Sequence, residues 1–144
     1  MNLPDHIQNL LSHCENYATD LIMETGEFAP FGALTDANGL THHREVEIDP
    51  RDVPSNGEII EELQKYFIDQ YENHGAQGYA IACEAAVQLD ENTKTDAIGI
   101  DIRFRDENNI PMFYIPFTMN WDTRQATFGK MFAVKRDEQA LPNS

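Results

Sequence analysis

Positive charge is what this sequence has least of. Ten Lys and Arg stand against twenty-five Asp and Glu, which leaves a net charge of −15 over 144 residues. With no Lys/Arg cluster, the phosphate-neutralising surface of a nucleic-acid binder and the polybasic patch of an anionic-membrane binder are both excluded. Cysteine is nearly missing too. Cys14 and Cys83 are far apart, with no C-x-x-C and no Cys/His cluster, so neither a zinc site nor a disulfide-built secreted scaffold is expected. No apolar run approaches the ~18 residues of a membrane helix. The start, MNLPDHIQNLL, lacks the basic and long apolar stretches of a signal peptide, and a reducing cytoplasm is the expected compartment. The sequence also holds no G-x-S-x-G, no glycine-rich phosphate loop, no H-E-x-x-H and no calcium loop. No metal and no cofactor is expected.

What is present supports a packed core: 41% apolar residues and 10% aromatic, in a chain of one-domain length. Leu3, Ile7, Leu10, Leu11, Cys14, Tyr17, Ala18, Leu21 and Ile22 keep helical spacing, which predicts an amphipathic helix over 4–25 that Gly26 ends. Asn38-Gly39 between two strand-like runs predicts a hairpin. Ser55 and Glu58 have capping-box spacing, and Ile59, Leu63, Phe67, Gln70, Tyr71 and His74 trace one face of a second helix up to Gly75. From Tyr79 onward, four alternating runs are separated by DENTKT, RDENN and NWDTR. The expected fold is therefore α+β, in the order α-β-β-α-β-β-β-β. Two helices are expected on one face of an antiparallel sheet of about six strands, as a single domain over 1–134 with a polar tail over 135–144.

Turn positions give a register. Folding about Asn92 and Thr93 pairs Val87 with Ile98, Ala85 with Ile100 and Cys83 with Ile102. Folding about Glu107 and Asn108 pairs Ile102 with Phe113 and Ile100 with Ile115. One face is then apolar, and Cys83 is inert core. The other face places Glu84 and Tyr114 opposite Asp101, with Arg103 beside them. That set is either an acid/base or cation-binding cluster or a solvated outer face. The histidines make no metal pair: His42 and His43 point to opposite faces, and His6 and His13 are two turns apart. His74 at a helix end reads as a cap, and Ser55 as a cap before a nucleophile.

GEFAPFGAL, residues 26 to 34, brings Phe28, Pro30 and Phe31 together straight after the first helix. Phe28 and Phe31 either plug the seam between helix and sheet or border a binding groove, and Gly32 allows a helix to approach a strand. This segment, with Asn38-Gly39, Ala97-Ile98-Gly99-Ile100 and Ile115-Pro116-Phe117, resembles a group of small bacterial proteins that share an F-x-P-F-G segment, a hairpin and a strand-rich second half. No activity attaches to that group, so the resemblance implies no catalytic residues. In layout the chain is also distantly similar to the profilin-like roadblock and longin domains and to type III secretion chaperones. It lacks the third helix of the former and the expected strand order of the latter.

The expected function is a non-catalytic binding or regulatory protein for a basic protein partner, immunity-like or chaperone-like. The alternative is a small enzyme or small-molecule-binding domain built on Glu84, Asp101, Arg103 and Tyr114. Met112, Tyr114, Phe128, Phe132 and Val134 on a face that no helix covers also predict a weak homodimer.

Overall fold

In the computed structural model, which describes residues 3–136, helix α1 spans Asp5–Thr25. Its apolar stripe, Ile7, Leu10, Leu11, Cys14, Ala18 and Ile22, is buried. Gly26 ends it at φ 84°, a left-handed turn open to glycine, with its N–H donating to the Ile22 carbonyl. Strands β1 (Phe31–Thr35) and β2 (Thr41–Glu45) form the expected hairpin. Asp36 closes its turn by accepting from the Asn38 and Leu40 N–H groups. Helix α2 (Asn56–Asn73) starts on a complete capping box between Ser55 and Glu58. Strands β3 (Gly78–Gln88), β4 (Lys94–Phe104), β5 (Met112–Asn120), β6 (Gln125–Phe128) and β7 (Phe132–Val134) follow.

The strands form one antiparallel sheet in the order β2-β1-β3-β4-β5-β6, with β7 also paired to β5. The fold is α+β, two helices on an antiparallel sheet. The sheet has seven strands rather than six because Gly129-Lys130-Met131 divides the last run into β6 and β7, both lying along β5.

The helices lie on opposite faces of the sheet, not together on one. α1 packs against Phe31, Ala33, Ala80, Ala82, Ile98, Ile100 and Ile102. α2 buries Ile59, Leu63 and Phe67 against Leu34 and Ile81 on the other side. All five residues of β1 are buried, because both layers rest on it. Gly32 lets α2 approach: a Cβ there would stand 2.5 Å from the Phe67 ring and 2.5 Å from the Ala80 carbonyl oxygen.

The β3–β4 register also differs from the expected one. Cys83 lies opposite Gly99, Ala82 opposite Ile100 and Glu84 opposite Ile98. The connection is a five-residue loop closed by Leu89 N–H donating to the Thr93 carbonyl, and Asp90 caps Asn92 inside it. Its centre is Glu91, and an odd shift of pairing transfers every β3 side chain to the other face. The alternation in β3 gave no warning, because its first half is covered on both sides and is apolar at every position from Tyr79 to Cys83. The β4–β5 register is displaced by two residues, with Ile100 opposite Phe113 and Ile98 opposite Ile115, so the faces there are as expected.

Candidate functional site

The altered register splits the expected cluster. Asp101, Arg103 and Tyr114 remain on one face, the α2 side of the sheet, but Tyr114 stands opposite Gly99 and Asp101 opposite Ile81. Glu84 is on the α1 side with Ile98 and Ile100. There its Oε1 accepts the Phe28 N–H at 3.1 Å. Burial pushes the Glu84 carboxyl up, partly offset by that hydrogen bond. Phe28 and Phe31 are 7% and 1% exposed and touch edge to face at 5.7 Å. They form a plug at the helix–sheet corner, not the rim of a groove. Cys83 is half-buried on the α2 side rather than in the α1 core, and burial followed by the Asp101 and Glu84 charges pushes its thiol up. Of the residues expected on the uncovered face, Met112, Tyr114, Phe132 and Val134 share the α2 side, and all four are half-buried. Phe128 is on the other side, packed against Phe117 in the α1 core.

Beside Asp101 the structure adds a residue that the sequence placed in the tail. Arg136 pairs with Asp101 and donates to the carbonyls of Ile110, at 2.8 Å, and Ile102, at 3.1 Å. A second arginine works the same way: Arg105 donates to the carbonyls of Tyr71, at 2.6 Å, and Ala76, at 2.8 Å, with its guanidinium 3.9 Å over the Tyr71 ring. Arg136, with Tyr71 and Tyr79, lines a groove of about 560 Å³. The rest of the expected tail, residues 137–144, lies outside the described residues.

A second constellation joins α1 to β2. Tyr17 donates its hydroxyl to Glu45 Oε1 at 2.5 Å, Glu45 Oε1 is 3.1 Å from His43 Nε2, and His43 Nδ1 is 2.8 Å from His13 Nε2. The Tyr17 and His43 rings lie 4.2 Å apart, and His43 is 5.3 Å from Phe31. With both imidazoles neutral, the hydrogen-bond order assigns the tautomers. An ionised Glu45 accepts only, so His43 donates from Nε2 and accepts at Nδ1, and His13 donates from Nε2 to it. The outer acceptor of this relay is His13 Nδ1. The sequence contained the signal for it: the Asn-Gly hairpin sets His43 opposite Ala33 and Glu45 opposite Phe31, and His13 and Tyr17 are one helical turn apart. Spacing along the chain, which seeks metal pairs on one element, does not find a cluster spread over two.

The relay predicts a pH profile. Burial, then the neighbouring His43, holds the His13 imidazole below its ordinary 6.5. The Tyr17 hydrogen bond holds Glu45 below its ordinary 4.5, and the same bond raises Tyr17 above 10.0. The unfolded chain therefore binds a proton at His13 before the folded chain does, and stability falls as pH drops below about 6.5. The Glu45 contribution is lost at lower pH, and the Tyr17 contribution as pH rises above about 10. The melting temperature should decline below about pH 6.5 and again on the alkaline side, where the Cys14 and Cys83 thiols, both raised above 9.0 by burial, add to the Tyr17 contribution. His13→Gln, which keeps a donor toward His43, should remove the first acid decline. If that decline is unchanged in the variant, His13 is not its source.

Charge is distributed unevenly over this frame. Residues 1–93 carry eighteen acids and three bases, which accounts for the whole −15, while residues 94–144 carry seven of each. The three bases of the first group are all occupied: Arg44 lies 3.9 Å over the Tyr66 ring, Arg51 pairs with Asp49 and Lys65 with Glu61. The acidic part includes β2, whose five residues are all exposed and which, among the described residues, pairs in the sheet with β1 alone. The neutral part forms the opposite edge. Among the described residues no group of three or more His, Cys, Asp and Glu is arranged to hold a metal ion, and no helix is long and apolar enough to cross a membrane. The chain matches no family model, no curated protein and no solved structure.

Proposed function

We propose that this chain is a non-catalytic binding protein that docks a basic polypeptide along its β2 edge. One observation carries the reading: the entire net charge resides in residues 1–93, whose outermost strand is an open edge. An exposed edge offers unpaired N–H and C=O groups to an extended segment of another chain. Glu47 and Asp49, just after that strand, select for positive charge on the newcomer. A second copy of this chain brings the same acidic edge and is repelled, so the preferred occupant is a basic partner.

The test is capture from the cells that make the protein, at low and at high salt, compared across two sets of variants. Wild type should retain a polypeptide of net positive charge at low salt and release it at high salt, because exposed charges are screened. Glu47→Lys/Asp49→Lys should lose that partner, whereas Asp122→Lys, in the neutral part, should keep it. Retention indifferent to salt, or equal loss in both sets, would remove the β2 edge from consideration.

A further inference from the structure

The groove beside α2 is lined from both parts of the chain, by Ile68, Tyr71, Glu72 and Tyr79 and by Arg136 with residues drawn from 102–110, and its construction differs from that of an ordinary surface dent. Two arginines brace it through main-chain carbonyls: Arg105, outside the lining, ties the end of α2 to β4, and Arg136, within the lining, ties the β4–β5 connection to the sheet. The walls are thereby fixed before any ligand arrives. The connection itself is bent tightly, with Asp106 at φ 65° and Asn109 at φ 64°, conformations that side chains other than glycine seldom adopt.

The third arginine is different. Arg103 lines the groove and is 54% exposed, and among the described residues its charged partner is Asp101 at 3.4 Å, a carboxylate already paired with Arg136. The lining also includes carboxylates from α2, at Glu72, and from the β4–β5 connection, at Glu107, the latter already 3.6 Å from His6 Nε2. The body between them is apolar and aromatic, with Tyr71, Tyr79 and Ile110. One available guanidinium, the Glu72 carboxylate on the α2 wall and an apolar floor, in a volume within the usual range for small-molecule sites, complement both charges of a zwitterion.

We infer that this groove binds a small zwitterion with an apolar side chain, of the amino-acid class. Its carboxylate pairs with Arg103, its ammonium faces Glu72, and its side chain rests on Tyr79 and Ile110. This site stands apart from the β2 edge and does not depend on the partner reading.

The experiment uses phenylalanine as the probe, with phenylalaninamide and N-acetylphenylalanine as controls that each remove one charge. Binding is followed by calorimetry and by the ring signals of Tyr71 and Tyr79. Phenylalanine should bind and perturb both rings, and each blocked form should bind about tenfold more weakly or worse, the effect of one lost charged hydrogen bond. Arg103→Met should erase the preference for the acid over the amide. Glu72→Gln should reduce the preference for the free amine. Both substitutions are at exposed positions and should leave the melting temperature unchanged, which separates lost binding from lost folding. Failure of phenylalanine to bind, equal binding of all three compounds, or an unaltered acid preference in Arg103→Met overturns the inference.

Discussion

Phe31→Ala should lower the stability of this domain by about 3–5 kcal/mol, the range for emptying a buried aromatic site. Phe31 is 1% exposed and lies where α1, β1 and the chain entering β1 meet. Its ring touches Tyr17 at 4.8 Å, His43 at 5.3 Å and Phe28 at 5.7 Å. The cavity cannot easily close, because β1 is held on both edges by β2 and β3 and on both faces by helices. At roughly 2–4 °C per kcal/mol for a chain of this size, the melting temperature should drop by roughly 6–20 °C. Since a domain holds only about 5–15 kcal/mol in all, loss of the variant to aggregation on expression counts as the same result. Denaturant unfolding of Phe31→Ala, Phe28→Ala and the double variant would also give the coupling between the rings, expected within about 0.5–3 kcal/mol for residues in contact. A soluble Phe31→Ala protein that melts like wild type would show that the corner is open and not plugged.

The opposite error, too much volume, should be nearly as costly at the next residue. In Gly32→Ala the new Cβ would be 2.5 Å from the Ala80 carbonyl oxygen and 2.5 Å from Phe67 Cε2. The Phe67 ring can shift, but the carbonyl belongs to the strand paired with β1 and cannot. Overpacking of this kind costs about 1–3 kcal/mol and sometimes more. Gly57→Ala is the matched control. It lies in the first turn of α2, where a Cβ meets only Ser55 Oγ at 3.9 Å, and it should be neutral or stabilising by up to about 1 kcal/mol. Adding Phe67→Leu to Gly32→Ala should recover only part of the loss, since the carbonyl clash remains. If Gly32→Ala unfolds at the same denaturant concentration as wild type, α2 does not press on β1 as described.

The local elements were legible in the sequence because each has its own signal. The α1 stripe, the Asn-Gly turn and the Ser55/Glu58 box are short-range features, and the structure has them where the spacing predicts. The layering was not legible, for a reason visible at β1 and β3. Phe31-Gly-Ala-Leu-Thr and Tyr79-Ala-Ile-Ala-Cys are apolar on both sides, which is the mark of strands covered twice. Read as strands covered once, they put both helices on one face and left Glu84 free to join Asp101. The site was limited by the same step. Asp101, Arg103 and Tyr114 kept their common face because the β4–β5 error was an even number of residues, whereas Glu84 moved because the β3–β4 error was odd. Arg136 could not be found by pattern at all. It docks through main-chain carbonyls, which have no sequence signature.

That double coverage of β1 has a consequence for how the molecule comes apart. A sheet with a helix on one side only can shed that helix and keep its ladder. Here the five residues between Phe31 and Thr35 belong to two cores at once, so loosening either helix removes support from the strand on which the other rests. The two layers cannot melt as separate units, and opening of β1 amounts to opening of the whole domain. The four-residue β6 and three-residue β7, each paired only with β5, have no such obligation. They form the part of the sheet that can fray while the rest stays shut.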